Sequence, residues 1–261
     1  MNVEVDIGNT NLKCGIFCPK GRDEHKTLRL PTGRLRLGKN FLRELLHWTT
    51  MDVHSTPITW RIAPTGSFPW QELKAEILKI RPHDKFKIVA RKNIPLKIDV
   101  DSPQKVGIDR LLAAFASVKT YGNAPMLIVD AGSAITVDVV QNQTFCGGAI
   151  LPGLTALSET YPKISEKLPL VPLLPISESS YPGKNTKDAI QCGLHWGTIG
   201  AIRQFYEMFS SQKKDIRLVL TGGDADYLLP GLAHVIPSQR IEYNEFLVLE
   251  GIRQCFNEYE K

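Results

Sequence analysis

The chain has 261 residues, 43% hydrophobic and 23% charged, with a formal net charge of +5. This is ordinary globular composition, sufficient for one large or two moderate domains, and it excludes a fibrous or disordered chain. No apolar run approaches the ~20 residues that span a bilayer, and no run of five or more basic residues asks for a nucleic-acid partner.

The N-terminus opens directly on a strand, with no basic stretch followed by an apolar one, so no signal peptide is expected. Residues 2–17 read as two strands flanking a polar turn. The leading strand ends in Asp6, and the turn holds Gly8, Asn9, Thr10 and Asn11, with Lys13 beyond. Glycine lets backbone approach a ligand, and turn N–H groups can face phosphate oxygens. A carboxylate at the strand end can hold a hydrated cation that bridges those phosphates. A third strand is expected near 26–31. The basic residues are densest from Arg29 to Arg43, with Arg34, Arg36 and Lys39 between, and read as a solvated edge.

A helix is expected over 38–49, a strand over 58–62 closed by Ala63-Pro64, a helix over 69–81 and a strand over 86–90. A helix over 106–120 opens with Gly107-Ile108-Asp109-Arg110. Asp109 lies where the helix dipole favours an anion, and a carboxylate can accept the proton of an attacking alcohol. Arg110 can grip a carboxylate or phosphate in a bidentate way.

The opening pattern then returns. Strands at 126–130 and 134–140 flank Asp130-Ala131-Gly132-Ser133, and a third strand follows at 144–151. Thr136 and Asp138 share one face of their strand by its period of two, either supporting the turn or touching ligand. A helix is expected near 153–160. Residues 161–184 carry five prolines and read as an ordered surface loop, with a lid as one possible use. A long helix spans 186–211, in which His195 and Trp196 read as packing. A strand at 218–220 ends in Thr221-Gly222-Gly223-Asp224, and a last helix covers 243–258. The repeated order implies an α/β architecture of duplicated domains, 1–118 and 119–261, with a nucleotide between the halves. Cysteines 14, 18, 146, 192 and 255 show no paired spacing and no zinc-site histidines, and read as free thiols in a reducing cytosol.

Five segments taken in order are similar to the type III pantothenate kinases: D-x-G-N-T at 6–10, G-x-D-R at 107–110, D-x-G-S-A-x-T-x-D at 130–138, G-G-x-I-x-P-G at 147–153 and T-G-G at 221–223. The resemblance covers nearly the whole chain. It implies the actin-like ATPase fold of two ribonuclease-H-like halves, and a homodimer. The implied activity is ATP-dependent phosphorylation of pantothenate, the first committed step of coenzyme A synthesis, with Mg²⁺ and a monovalent cation, K⁺ or NH₄⁺. By position, it makes Asp109 the general base and Asp130 the monovalent-cation ligand. Asp6 would carry Mg²⁺. Residues Asp6, Ile7, Gly8, Asn9, Thr10, Asn11, Leu12 and Lys13, with Gly132, Ser133, Gly222 and Gly223, would bind ATP. Gly107, Ile108, Asp109, Arg110 and Thr186 of a G-x-x-T segment would contact pantothenate. Val100 stands where the family carries a tyrosine lining the pantothenate pocket. That difference keeps two other readings in view: a kinase for another small hydroxy acid, and a catalytically silent nucleotide-binding regulator.

Overall fold

The computed structural model describes residues 1–17, 26–32, 39–49, 56–174, 181–213 and 215–259. Cys18, Arg34, Arg36 and Gly38 fall outside them, as does the middle of the proline-rich segment. The chain divides into two compact units: unit 1 is Met1–Pro95, Gln104–Ala116 and Val248–Lys261, and unit 2 is Leu96–Pro103 and Ser117–Leu247.

Unit 1 holds β1 (Asn2–Ile7), β2 (Asn11–Ile16), β3 (Lys26–Pro31), α1 (Lys39–Thr49), β4 (Thr59–Pro64), α2 (Trp70–Ile80) and β5 (Lys85–Ile88). The first part of α3 (Ile108–Tyr121) and nearly all of α8 (Leu247–Tyr259) count with it. Its sheet runs β3-β2-β1-β4-β5, antiparallel on the β2 side of β1 and parallel on the β4 side. On β1, Val3, Val5 and Ile7 alternate onto one face and join a core with Leu12, Trp60 and Ile62 of the sheet, Leu45 and Leu46 of α1, and Leu73 and Ile77 of α2. The alternate residues Glu4 and Asp6 are buried too, so β1 is covered on both faces. Glu4 pairs with Arg61 of its neighbour strand at 3.3 Å, and Arg61 lies 5.3 Å from the Phe256 ring of α8.

Unit 2 holds β6 (Lys97–Ile98), β7 (Met126–Ala131), β8 (Ala134–Gln141), β9 (Thr144–Pro152), α4 (Leu154–Ser158), α5 (Tyr161–Ile164), α6 (Thr186–Ser210), β10 (Arg217–Thr221), α7 (Ala225–Val235) and β11 (Ile241–Tyr243). Its sheet runs β11-β10-β7-β8-β9-β6. With β6 set aside, the strand order and directions repeat those of unit 1: a three-stranded antiparallel meander, then two parallel strands. Leu127, Val129, Ile135 and Leu218 pack against Leu154, Ile199, Ile202, Leu228 and Leu232 of the covering helices.

Each expected strand and long helix has a counterpart in the described residues, with shifted ends at the strand expected over 86–90, which runs Lys85–Ile88, and at the last helix. The structure adds β6, α5, α7 and β11. Helix α7 carries Pro230 in its interior, which removes a backbone donor and reads as a breaker. Burial of Ala225, Leu228 and Leu232 offsets that cost. Strand β11 takes 241–243, so the last helix starts at Leu247. Part of the proline-rich segment is packed rather than a plain surface loop: Val171 is buried, and its carbonyl accepts from Ser158 Oγ at 2.6 Å.

Candidate active site

In unit 1 the Asp6 turn is built by register. Ile7 faces Leu12 and Asp6 faces Lys13 across β1 and β2, and Gly8 N donates to Asn11 O at 3.0 Å. Ile7 and Leu12 are fully buried, so only their backbone can meet a nucleotide; Asn9 and Thr10 are exposed. The turn is held from outside as well. Thr32 Oγ1 donates to Gly8 O at 3.0 Å. Beyond β4, Gly66 N donates to Ile7 O at 2.6 Å, Ser67 N to Asn9 Oδ1 at 3.0 Å, and Thr65 Oγ1 to Asp6 Oδ1 at 2.6 Å. A Cβ on Gly66 would sit 2.5 Å from Gly8 C and 2.6 Å from Asn9 N, so this approach needs glycine.

Burial pushes the Asp6 carboxyl above its ordinary value. Lys13 and the Thr65 hydroxyl pull it back, and the charge of Asp109 pushes it up again. Asp109 therefore lies within electrostatic reach of Asp6 inside the same unit. It sits in the first turn of α3, where Arg110 N donates to its Oδ1 at 2.9 Å. That oxygen occupies the space a side chain at Gly107 would need. Gly107, Ile108, Asp109 and Arg110 are all partly exposed.

In unit 2 the second turn closes one residue tighter: Gly132 N donates to Ala134 O at 3.1 Å. Two glycines press against it. A Cβ on Gly153 would come 2.5 Å from Gly132 O, and one on Gly222 would come 2.5 Å from Asp130 Oδ1. Gly222 has φ +101, and Asp224 N donates to Ala131 O at 2.9 Å. The T-G-G segment thus lies directly on the Asp130 strand end, with Gly223 partly exposed and Ser133 exposed. Of the pair that shares a face on β8, Asp138 is 1% exposed with its carboxylate against Gly148; Thr136 is partly exposed. Val100 follows β6 and lies against Gly147, which has φ +86. Thr186 opens α6 and is exposed, next to Asn185, whose side chain caps the helix by accepting from Asp188 N at 3.0 Å. His195 is buried against Trp196 and Tyr227, with both ring pairs edge-on at 4.9 Å, and takes the packing role expected of it.

Among the described residues no three His, Cys, Asp or Glu side chains gather into a metal cluster. A cation at Asp6 would rest on one carboxylate plus backbone, water or phosphate oxygens. This suits Mg²⁺, which keeps several waters and takes one or two carboxylates with substrate phosphates. Sequence reasoning did not find Thr65, Gly66 or Thr32. Thr65 had a signal, because it is the first residue past the C-terminal end of a parallel strand, where α/β sheets collect their sites.

A family model described as type III pantothenate kinase matches residues 2–208. The chain belongs to that family. A type III pantothenate kinase of Geobacter sulfurreducens is 30% identical over 263 residues, covering 97% of each chain. Among solved structures, a Campylobacter jejuni protein of the Baf family covers 99% of this chain and 98% of its own, at 23% identity and a TM-score of 0.56. Component A of the (R)-2-hydroxyglutaryl-CoA dehydratase of Acidaminococcus fermentans covers 100% and 99%, at 14% identity and a TM-score of 0.52. These two likenesses show the fold alone, an α/β fold whose two sheets repeat one strand order. Segments 6–10 and 130–138 of the shared motifs hold the hairpin turns after β1 and β7, one in each unit.

Proposed function

We propose that the chain phosphorylates pantothenate with ATP, giving 4'-phosphopantothenate in the first step of coenzyme A synthesis. Family membership supports the reaction. The observation that carries the site reading is the placement of Asp6 and Asp109 in one unit, within electrostatic reach of each other beside a glycine turn. The Gly8 turn and Lys13, with Gly132, Ser133, Gly222 and Gly223, hold the ATP phosphates through backbone N–H groups, hydroxyls and one cation. When bound beside Asp6, Mg²⁺ would neutralise charge on the β- and γ-phosphates. Asp109 takes the proton of the pantothenate primary hydroxyl, and Arg110 grips the substrate carboxylate. Thr186 and the wall formed by Val100 complete substrate contact. Catalysis is then mainly positioning and charge stabilisation.

The finer features belong to the same proposal. Asp130 holds K⁺ or NH₄⁺, and the active species is a homodimer. Among the described residues no helix is long and apolar enough to cross a membrane. Among the described residues Cys14, Cys146, Cys192 and Cys255 form no disulfide, which supports a cytoplasmic setting.

The test is ADP release from ATP and Mg²⁺, with and without pantothenate, first in K⁺ and then in Na⁺. Pantothenate-dependent turnover that needs K⁺ is the expected result. Turnover with a different hydroxy acid would move the substrate assignment and point to Val100. Nucleotide binding without turnover on any acceptor would leave the regulator reading. Asp109→Asn is expected to keep the fold and lose about 10²–10⁴-fold in kcat; near-native turnover would refute the base assignment.

A further inference from the structure

We infer that Thr65 is a positioning residue for the divalent cation: its hydroxyl holds Asp6 Oδ1 and so aims the other carboxylate oxygen at the metal. This rests on the proposed role of Asp6.

Position comes from the sheet. β4 runs parallel to β1 with Asp6 beside Ala63 and Ile7 beside Pro64, so the chain leaving β4 passes directly over the Gly8 turn. Three consecutive residues then engage that turn at three different points. Thr65 takes the Asp6 carboxylate, Gly66 packs on the Gly8–Asn9 backbone, and Ser67 takes the Asn9 side chain. The backbone of the segment is itself anchored, since Thr65 N donates to Ile7 O at 3.2 Å and Gly66 N at 2.6 Å. The hydroxyl therefore arrives on a braced loop, not on a free side chain. Asp6 is 7% exposed, so its carboxylate relies on protein groups rather than water for its hydrogen bonds. A donor at 2.6 Å sets the orientation of that carboxylate and leaves its second oxygen for a hard cation. Residues that orient a metal ligand in this way typically change metal affinity or activity by about 10–100-fold when removed.

The experiment is calorimetric binding of ADP to the full chain in Mg²⁺ and in EDTA, for the native protein, Thr65→Val, Thr65→Ser and Asp6→Asn. The readout is the gain in nucleotide affinity that Mg²⁺ brings within each protein, so that general weakening cancels. Thr65→Val is expected to cut that gain about tenfold or more, and Thr65→Ser, which keeps the donor, to restore it. A native gain in Thr65→Val alongside a reduced gain in Asp6→Asn overturns the role of Thr65 alone. A native gain in Asp6→Asn overturns the Asp6 reading and this inference with it. If Thr65→Val does not fold, as read by circular dichroism, Thr65→Ala carries the same comparison.

Discussion

Asp6 and Gly222 show at residue scale how the site is built from groups that a plain strand end would avoid. Asp6 is a buried acid in a central strand; burial raises its pKa, and Lys13 and Thr65 offset part of that rise. Gly222 has φ +101 and abuts both Ala131 O and Asp130 Oδ1, so a methyl group there meets backbone and carboxylate together. Gly222→Ala should destabilise the fold by about 1–3 kcal/mol through strain and overpacking, and nucleotide affinity should fall with it. Denaturant unfolding and nucleotide titration check this, and native values in both would show that the turn tolerates a side chain. His195 makes a different prediction. Among the described residues neither ring nitrogen has a hydrogen-bond partner, and burial holds its pKa below the ordinary value. Tyr227 beside it is pushed up to about 12 and stays neutral over the same range. The unfolded chain binds a proton near the ordinary histidine value of about 6.5 while the folded one resists it, so stability falls as pH drops below that point. Melting temperatures measured from about pH 8 to about pH 5 should fall less steeply for His195→Phe than for the native chain.

At the scale of elements, the last helix is held by a few particular contacts. α8 sits on the second face of the unit 1 sheet, where Leu249 meets Gly15 and Gly251 meets Leu112 of α3. Under it lies the Glu4–Arg61 pair, both side chains 2% exposed, with Arg61 also bonding Asn257 Oδ1 at 3.4 Å. Burial pushes the Glu4 carboxyl up to about 7 even with Arg61 beside it, so desolvation outweighs the pairing. Buried pairs of this kind stabilise little as a pair but are costly to split. Arg61→Ala is therefore expected to lose about 3–5 kcal/mol in equilibrium unfolding, and the double change Glu4→Leu with Arg61→Met to lose much less. Equal losses in both would show that the arginine acts through its packing alone. The amphipathic pattern of 243–258 predicted a helix, and the helix is there. Nothing in that pattern says which sheet it covers, because an apolar stripe fits any apolar face. α7 was hidden for another reason: a proline at 230 carries a local penalty of about 3 kcal/mol, and only its packed partners reveal that the penalty is met.

For the whole molecule, each unit presents one glycine turn at the end of its leading hairpin, and the two sheets repeat one strand order. A ligand held by the folded chain and not by the unfolded one raises stability by mass action, about 2.7 kcal/mol at a hundred times its Kd. ATP with Mg²⁺ should accordingly raise the melting temperature more than ATP in EDTA, and Asp6→Asn should remove most of the difference. An equal shift with and without Mg²⁺ would count against a cation at that turn.

The duplicated hairpin turns, the helix that opens on Asp109 and the T-G-G strand end were all readable in the chain itself. Each is a local pattern: period-two alternation, a glycine where backbone must come close, and a carboxylate at an element's end. The clasp of Thr65 on Asp6, the pressure of Gly153 and Gly222 on the second turn and the seat of α8 were not readable. They join residues far apart in sequence through parallel strand pairing and helix docking, and a linear pattern holds no record of which strands become neighbours. The sequence by itself determined the chemistry of the groups and the elements that carry them. Only the tertiary structure decided which of those groups brace one another, because bracing depends on distances that exist only once the sheet has formed.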